Sequence, residues 1–101
     1  MSYHGRLVKS LDHCSLIVAD TSKALDFYMG ILELKVDESR PDIGYPGAWL
    51  QVGDGQIHLL EVKDPYASVN RPEHGGRDNH LALQVSDLEL IIRRLQQAGI
   101  S

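Results

Sequence analysis

The sequence is short of several things that would each point to a class of protein. It has one cysteine, Cys14, so no internal disulfide can form, and nothing in cysteine usage suggests an oxidising compartment. A buried, reduced thiol is the expected state of that residue. No apolar run approaches the roughly 18 residues of a membrane span, and the opening MSYHGRLVKS lacks the apolar core of a secretory signal. The expectation is therefore a cytoplasmic protein with no membrane partner. Positive charge is scarce too. The formal net charge is -4, and no cluster of Lys and Arg gathers on one element, which argues against nucleic acid as a partner. No glycine-rich phosphate loop and no Ser-His-Asp signature occurs.

What is present is ordinary globular material. With 43% hydrophobic and 24% charged residues the chain has enough apolar surface to fold. At 101 residues it is a single domain near the lower end of sizes that bury a self-sufficient core, so a second subunit is a reasonable expectation.

The informative feature is an internal repeat. Shifted by 67 residues, the run from Asp12 to Asp20 falls on the run from Asn79 to Asp87, with His, Leu, Val and Asp recurring in register. Leu25, Tyr28 and Ile31 then fall on Ile92, Leu95 and Ala98, the apolar positions of two helical patterns.

Periodicity supplies the elements. Leu11 to Ala19 reads as a strand, and Asp20 or Thr21 can cap a helix from Lys23 to Leu32, with Gly30 a weak point inside it. Leu34 to Val36 is a short extended piece, and Glu38 to Gly47, with two prolines and two glycines, is a loop. Ala48 to Val52 and Gln56 to Val62 flank Gly53-Asp54-Gly55, which predicts an antiparallel hairpin. After a polar loop from Lys63 to Arg77, His80 to Val85 is expected to form a strand. Asp87 then caps a helix that Gly99 ends.

Side chains alternate along a strand, so His13, Ser15 and Ile17 share one face, as do Gln56, His58 and Leu60, and His80, Ala82 and Gln84. If the repeats are related by a pseudo-twofold axis, His13 and His80 occupy equivalent places. Imidazoles on rigid strands suit zinc, nickel, cobalt, iron or copper. Any one of them taken alone is more often a structural histidine.

Three segments together resemble a known family. LDHCSLIVADTSKALDFYMGIL, GAWLQVGDGQIHLLEV and HGGRDNHLALQVSDLELIIRRLQQAGI are similar to the vicinal oxygen chelate superfamily, which includes glyoxalase I, bleomycin resistance proteins and extradiol dioxygenases. The resemblance covers nearly the whole chain. It implies an α+β fold in which paired βαβββ modules form a curved mixed-sheet cup. Residues 9–63 would be the first module, 64–77 a crossing loop, and 78–101 the start of a second module that is incomplete here. It also implies a divalent metal ion (Zn, Ni, Co, Fe or Mn) held by His13, His58 and His80.

The family's further ligand and base is commonly a glutamate on the last strand of the second module. The offset carries His58 to position 125, past Ser101, so the expected carboxylate lies outside this sequence and the chain is expected to be a fragment. Glu61 faces the wrong side of its strand to replace it, and Glu73 in the crossing loop is a remote substitute. Glu33 stands where relatives often place a glycine, so the first helix is expected to end differently.

Lesser candidates are His74 as a gate, Arg40, Arg71 and Arg77 for an anionic substrate, and Trp49 and Tyr45 as pocket walls. His4 reads as a mobile terminal residue. The resemblance implies a metal-dependent enzyme, most simply a lyase or isomerase of the glyoxalase I kind, acting on a small oxygen-chelating substrate as a homodimer. The alternatives are an Fe(II) extradiol-type dioxygenase and a metal-free protein that binds antibiotic-like molecules.

Overall fold

A computed structural model describes residues 4–65, 70 and 78–100. Arg71, Glu73, His74 and Arg77 lie outside the described residues. The chain divides into two compact units, 1–63 and 64–101.

The first unit contains strand β1 (His13–Ile17), helix α1 (Thr21–Leu25), which continues into a π-helical segment (Asp26–Ile31), and strands β2 (Lys35–Val36), β3 (Gly47–Val52) and β4 (Gly55–Leu60). They form one mixed sheet in the order β1-β4-β3-β2. β1 runs parallel to β4 with His13 opposite Gln56 and Ser15 opposite His58. β4 runs antiparallel to β3, and β3 antiparallel to β2. The hairpin closes through a two-residue loop, since Val52 pairs with Gly55. Gly53 takes φ +54°, the left-handed value that the first central residue of a type II′ turn requires.

Strand alternation divides the sheet into two unlike faces. Ala48, Leu50, Ile57 and Leu59 are buried and form the core. The opposite face carries His13, Ser15, Gln56, His58, Trp49 and Gln51, none of them buried. Polar and aromatic side chains are thus collected on one face because the strands place them at every second residue.

α1 begins where the sequence says it can: the Asp20 side chain accepts from the Lys23 N–H at 3.1 Å. The helix differs from the single regular stretch expected over Lys23 to Leu32. Its second half widens, with the Leu32 N–H reaching back five residues to the Phe27 carbonyl at 3.2 Å. Glu33 also departs from expectation, because it does adopt the left-handed conformation at φ 59°. The Leu34 N–H donates to the Tyr28 carbonyl at 2.9 Å across it, a closing bond of the kind that ends helices through a left-handed residue.

The second unit holds helix α2 (Leu88–Gln97). The Asp87 side chain caps it at the Leu90 N–H, 3.0 Å, and Gly99 leaves it at φ +74°. The strand expected at His80 to Val85 does not form. A strand exists through its ladder; in the first unit β1 obtains one from β4, whereas among the described residues of the second unit there is no other strand to bond. Among the described residues no helix is long and apolar enough to cross a membrane.

Candidate functional site

The open face of the sheet gathers three flat rings. His58, on β4, stacks against His13 of β1 on one side, with ring centroids 4.1 Å apart and planes 11° apart. On the other side it stacks against Trp49 of β3, at 4.5 Å and 10°. The order β1-β4-β3 produces this: His58 stands on the middle strand directly opposite Trp49, and its ring lies between those of its two neighbours.

Each imidazole has one nitrogen engaged. His13 Nδ1 lies 2.8 Å from Asp12 Oδ2. His58 Nε2 lies 2.8 Å from Gln56 Oε1. His80, in the second unit, has Nδ1 2.9 Å from the Asp78 carbonyl oxygen. An imidazole that gives one N–H to a carboxylate or carbonyl keeps the lone pair of the other nitrogen for a proton or a metal, and this outer hydrogen bond is what usually orients histidine ligands. The structure brings His13 and His58 together. His80 precedes α2 and is described within its own unit.

The chemistry of this donor set fits a divalent metal, with one requirement. Lone pairs lie in the ring plane, so two parallel rings do not aim theirs at one point. His13 must turn for both to bind. Its side chain is 42% exposed and held by the stack on His58 and by an Asp12 carboxylate that is itself 96% exposed, so the turn costs that stack and a weak surface pair. Among the described residues no third His, Cys, Asp or Glu joins this pair within the first unit.

A second layer supports His58. Gln56 Nε2 donates to Asp37 Oδ2 at 2.8 Å and to Gln51 Oε1 at 3.1 Å. Asp37 Oδ1 accepts from the Ser39 N–H and hydroxyl at 3.0 and 2.7 Å. Those donors hold the Asp37 carboxyl below the usual carboxylate range. His58 is pushed below the usual imidazole value by burial first, and then by His13 and Arg40, against the opposing pull of Asp12 and Asp37.

Other candidates have different places. Arg40 Nη2 donates to the Tyr45 carbonyl at 2.8 Å, and its guanidinium lies over the Tyr45 ring at 5.6 Å. Glu61 Oε1 accepts from the Thr21 N–H at 2.7 Å, so its carboxylate serves the first turn of α1 and not the histidine face. Cys14 is opposite Ile57, on the side away from His13. Sequence reasoning placed Gln56 beside His58 by parity but gave it no role. It passed over Asp12, whose position next to His13 was a usable signal, and Asp37, whose approach depends on the path of a loop.

The chain resembles known proteins along most of its length. Residues 10–101 match the model of the Glyoxalase/Bleomycin resistance protein/Dioxygenase superfamily. Glyoxylase I 4 of Arabidopsis thaliana is 27% identical over 92 residues, 90% of this chain and 52% of that protein, so the chain spans about half the length of this curated relative. Among solved structures, a mutant of the fosfomycin resistance protein FosX from Listeria monocytogenes, complexed with Mn(II) and 1S,2S-dihydroxypropylphosphonic acid, superposes with a TM-score of 0.71. It is 19% identical, and the match covers 94% of this chain and 71% of that one. Lactoylglutathione lyase from Agrobacterium tumefaciens gives a TM-score of 0.60 at 13% identity, with 93% and 73% covered. At such identities the structures establish a shared fold. The fold, the repeat and the family match together assign this chain to the glyoxalase, bleomycin resistance and dioxygenase superfamily.

Proposed function

We propose that this chain belongs to a divalent-metal-dependent enzyme of glyoxalase I-like lyase or isomerase chemistry, with His13, His58 and His80 as protein ligands and a small, oxygen-chelating molecule as substrate. The observation that supports it most is the pair His13 and His58, adjacent on one open sheet face, each with one nitrogen held by an oxygen acceptor. Zn, Ni, Co, Fe or Mn bound there would supply Lewis acidity to neighbouring substrate oxygens. The chain's own residues prepare the site. Asp12 orients His13, Gln56 orients His58, and Trp49 holds the His58 ring flat and shields its far side from water. The proposal retains 9–63 as the first module, 78–101 as the opening of a second, and a homodimer as the working form.

Zinc and manganese titrated into the metal-free protein should show one site by calorimetry, weakened by His13→Ala and by His58→Ala separately. Turnover of a hemithioacetal by the metal-loaded protein should stop on chelation. Metal binding that both substitutions leave intact would remove this reading. A second reading, a metal-free protein that binds antibiotic-like small molecules, draws on the open polar and aromatic sheet face as the binding surface. Tight ligand binding with no metal uptake would favour it.

A further inference from the structure

The hydrogen bonds behind His58 decide more than its position. Asp37 follows β2, and its N–H donates to the Trp49 carbonyl at 2.8 Å, which fixes it beside β3. With two Ser39 donors on Oδ1 its carboxyl is ionised at neutral pH and can only accept. The Gln56 amide atom that lies 2.8 Å from Asp37 Oδ2 must therefore be nitrogen. A second constraint agrees. The Gly53 carbonyl, 3.3 Å from Gln51 Nε2, turns the Gln51 oxygen toward the same Gln56 nitrogen. Amide orientation is usually an assignment, but here two acceptor-only oxygens impose it.

The consequence passes along the amide. Gln56 Oε1 is left facing His58 Nε2, 2.8 Å away, so Nε2 must carry the proton and Nδ1 keeps its lone pair. His13 is the reverse case. Its Nδ1 faces the Asp12 carboxylate, so Nδ1 is protonated and Nε2 is free. We propose that Asp37 is a positioning residue which, through Gln56, fixes His58 in the Nε2–H form, so that the lone pairs left for a metal are Nδ1 of His58 and Nε2 of His13. The tautomer stands on hydrogen-bond geometry alone; its use in coordination rests on the metal reading above.

The substitution that tests this is Asp37→Asn. The introduced carboxamide keeps its one oxygen under the two Ser39 donors and turns its NH2 toward Gln56. Donor then faces donor; the Gln56 amide rotates by half a turn, the Gln51 amide turns with it and gives up its long 3.3 Å bond to the Gly53 carbonyl, and the Gln56 nitrogen points at His58 Nε2, which must now accept. The full chain, metal-free and labelled with 15N-histidine, is read by long-range 1H–15N correlation above the imidazole titration. Wild type should show His58 as Nε2–H and His13 as Nδ1–H. Asp37→Asn should convert His58 to Nδ1–H, leave His13 unchanged, and weaken zinc binding by roughly 10–100-fold. Gln56→Leu, which deletes the acceptor, should leave His58 as a mixture of tautomers. A purely structural Asp37 would alter stability and leave the tautomer alone. His58 found as Nδ1–H in wild type, or still as Nε2–H in Asp37→Asn, or held in one tautomer in Gln56→Leu, overturns the inference. Failure of wild type to bind zinc overturns the metal reading instead, and the tautomers still decide this one.

Discussion

Gly47 opens β3 opposite Leu60, and the structure leaves it no room for a side chain. An added Cβ would run into the Leu59 carbonyl oxygen and lie 3.1 Å from Arg40 Nη2. The arginine tip can move, but the carbonyl is part of the sheet. Relief requires β3 and β4 to part at this end, where the Glu61 N–H donates to the Pro46 carbonyl at 2.9 Å. Overpacking costs about 1–3 kcal/mol and two weakened backbone bonds about 0.5–1.5 kcal/mol each, so Gly47→Ala should cost about 2–6 kcal/mol. A domain of this size has about 5–15 kcal/mol in total, so the loss is a large share of its reserve. With a urea slope of about 2 kcal/mol/M the unfolding midpoint should fall by about 1–3 M. Gly30→Ala is the matched control. Nothing lies within 4 Å of its added Cβ, and it sits inside the π-helical segment, where a more restricted unfolded chain should raise stability by about 0.4–1 kcal/mol. Urea unfolding followed by far-UV circular dichroism compares the two. If Gly47→Ala unfolds within about 0.3 M of wild type, the argument from close strand approach fails.

Asp87→Ala should remove the cap of α2 and cost about 0.5–2 kcal/mol, read most directly as faster hydrogen exchange at the Leu90 amide, which loses its acceptor. Glu61→Ala should destabilise by about 1–3 kcal/mol by leaving the Thr21 N–H unpaired, whereas Glu61→Gln keeps an acceptor and should lose less; equal losses would mean that the bond is not the cause. His58 should titrate below an ordinary imidazole when followed by NMR. Because its folded value lies below the unfolded one, the unfolded chain takes up the proton first. Its contribution is intact above the unfolded value and is lost as pH falls toward the folded value. His58→Gln should therefore flatten the acid decline of the urea midpoint, and an unchanged slope would count against the burial argument.

Local chemistry made much of the fold legible. Asp20, Asp87 and Gly99 mark helix ends through bonds a few residues long, and Gly53-Asp54-Gly55 marks the hairpin, so each element could be placed near its true limits. The π-helical widening was not legible, because over six residues its apolar spacing differs little from that of an α-helix. The segment His80 to Val85 has strand-like residues, but a ladder depends on a partner that composition cannot supply. At the site, parity alone put His13 on one face of its strand and His58 with Gln56 on one face of theirs. That the two faces coincide follows from the parallel pairing of β1 with β4, which brings together residues more than forty positions apart. Asp37 was hidden for the same reason. Only the fold brings it to Gln56.

Trp49 is the chain's one tryptophan, and it lies flat on His58. An indole excited in contact with an imidazolium loses its emission by electron transfer to the cation, and a neutral or metal-bound imidazole quenches it differently. The molecule thus carries an optical gauge on His58, and the charge state of that ring can be followed from native fluorescence without a label.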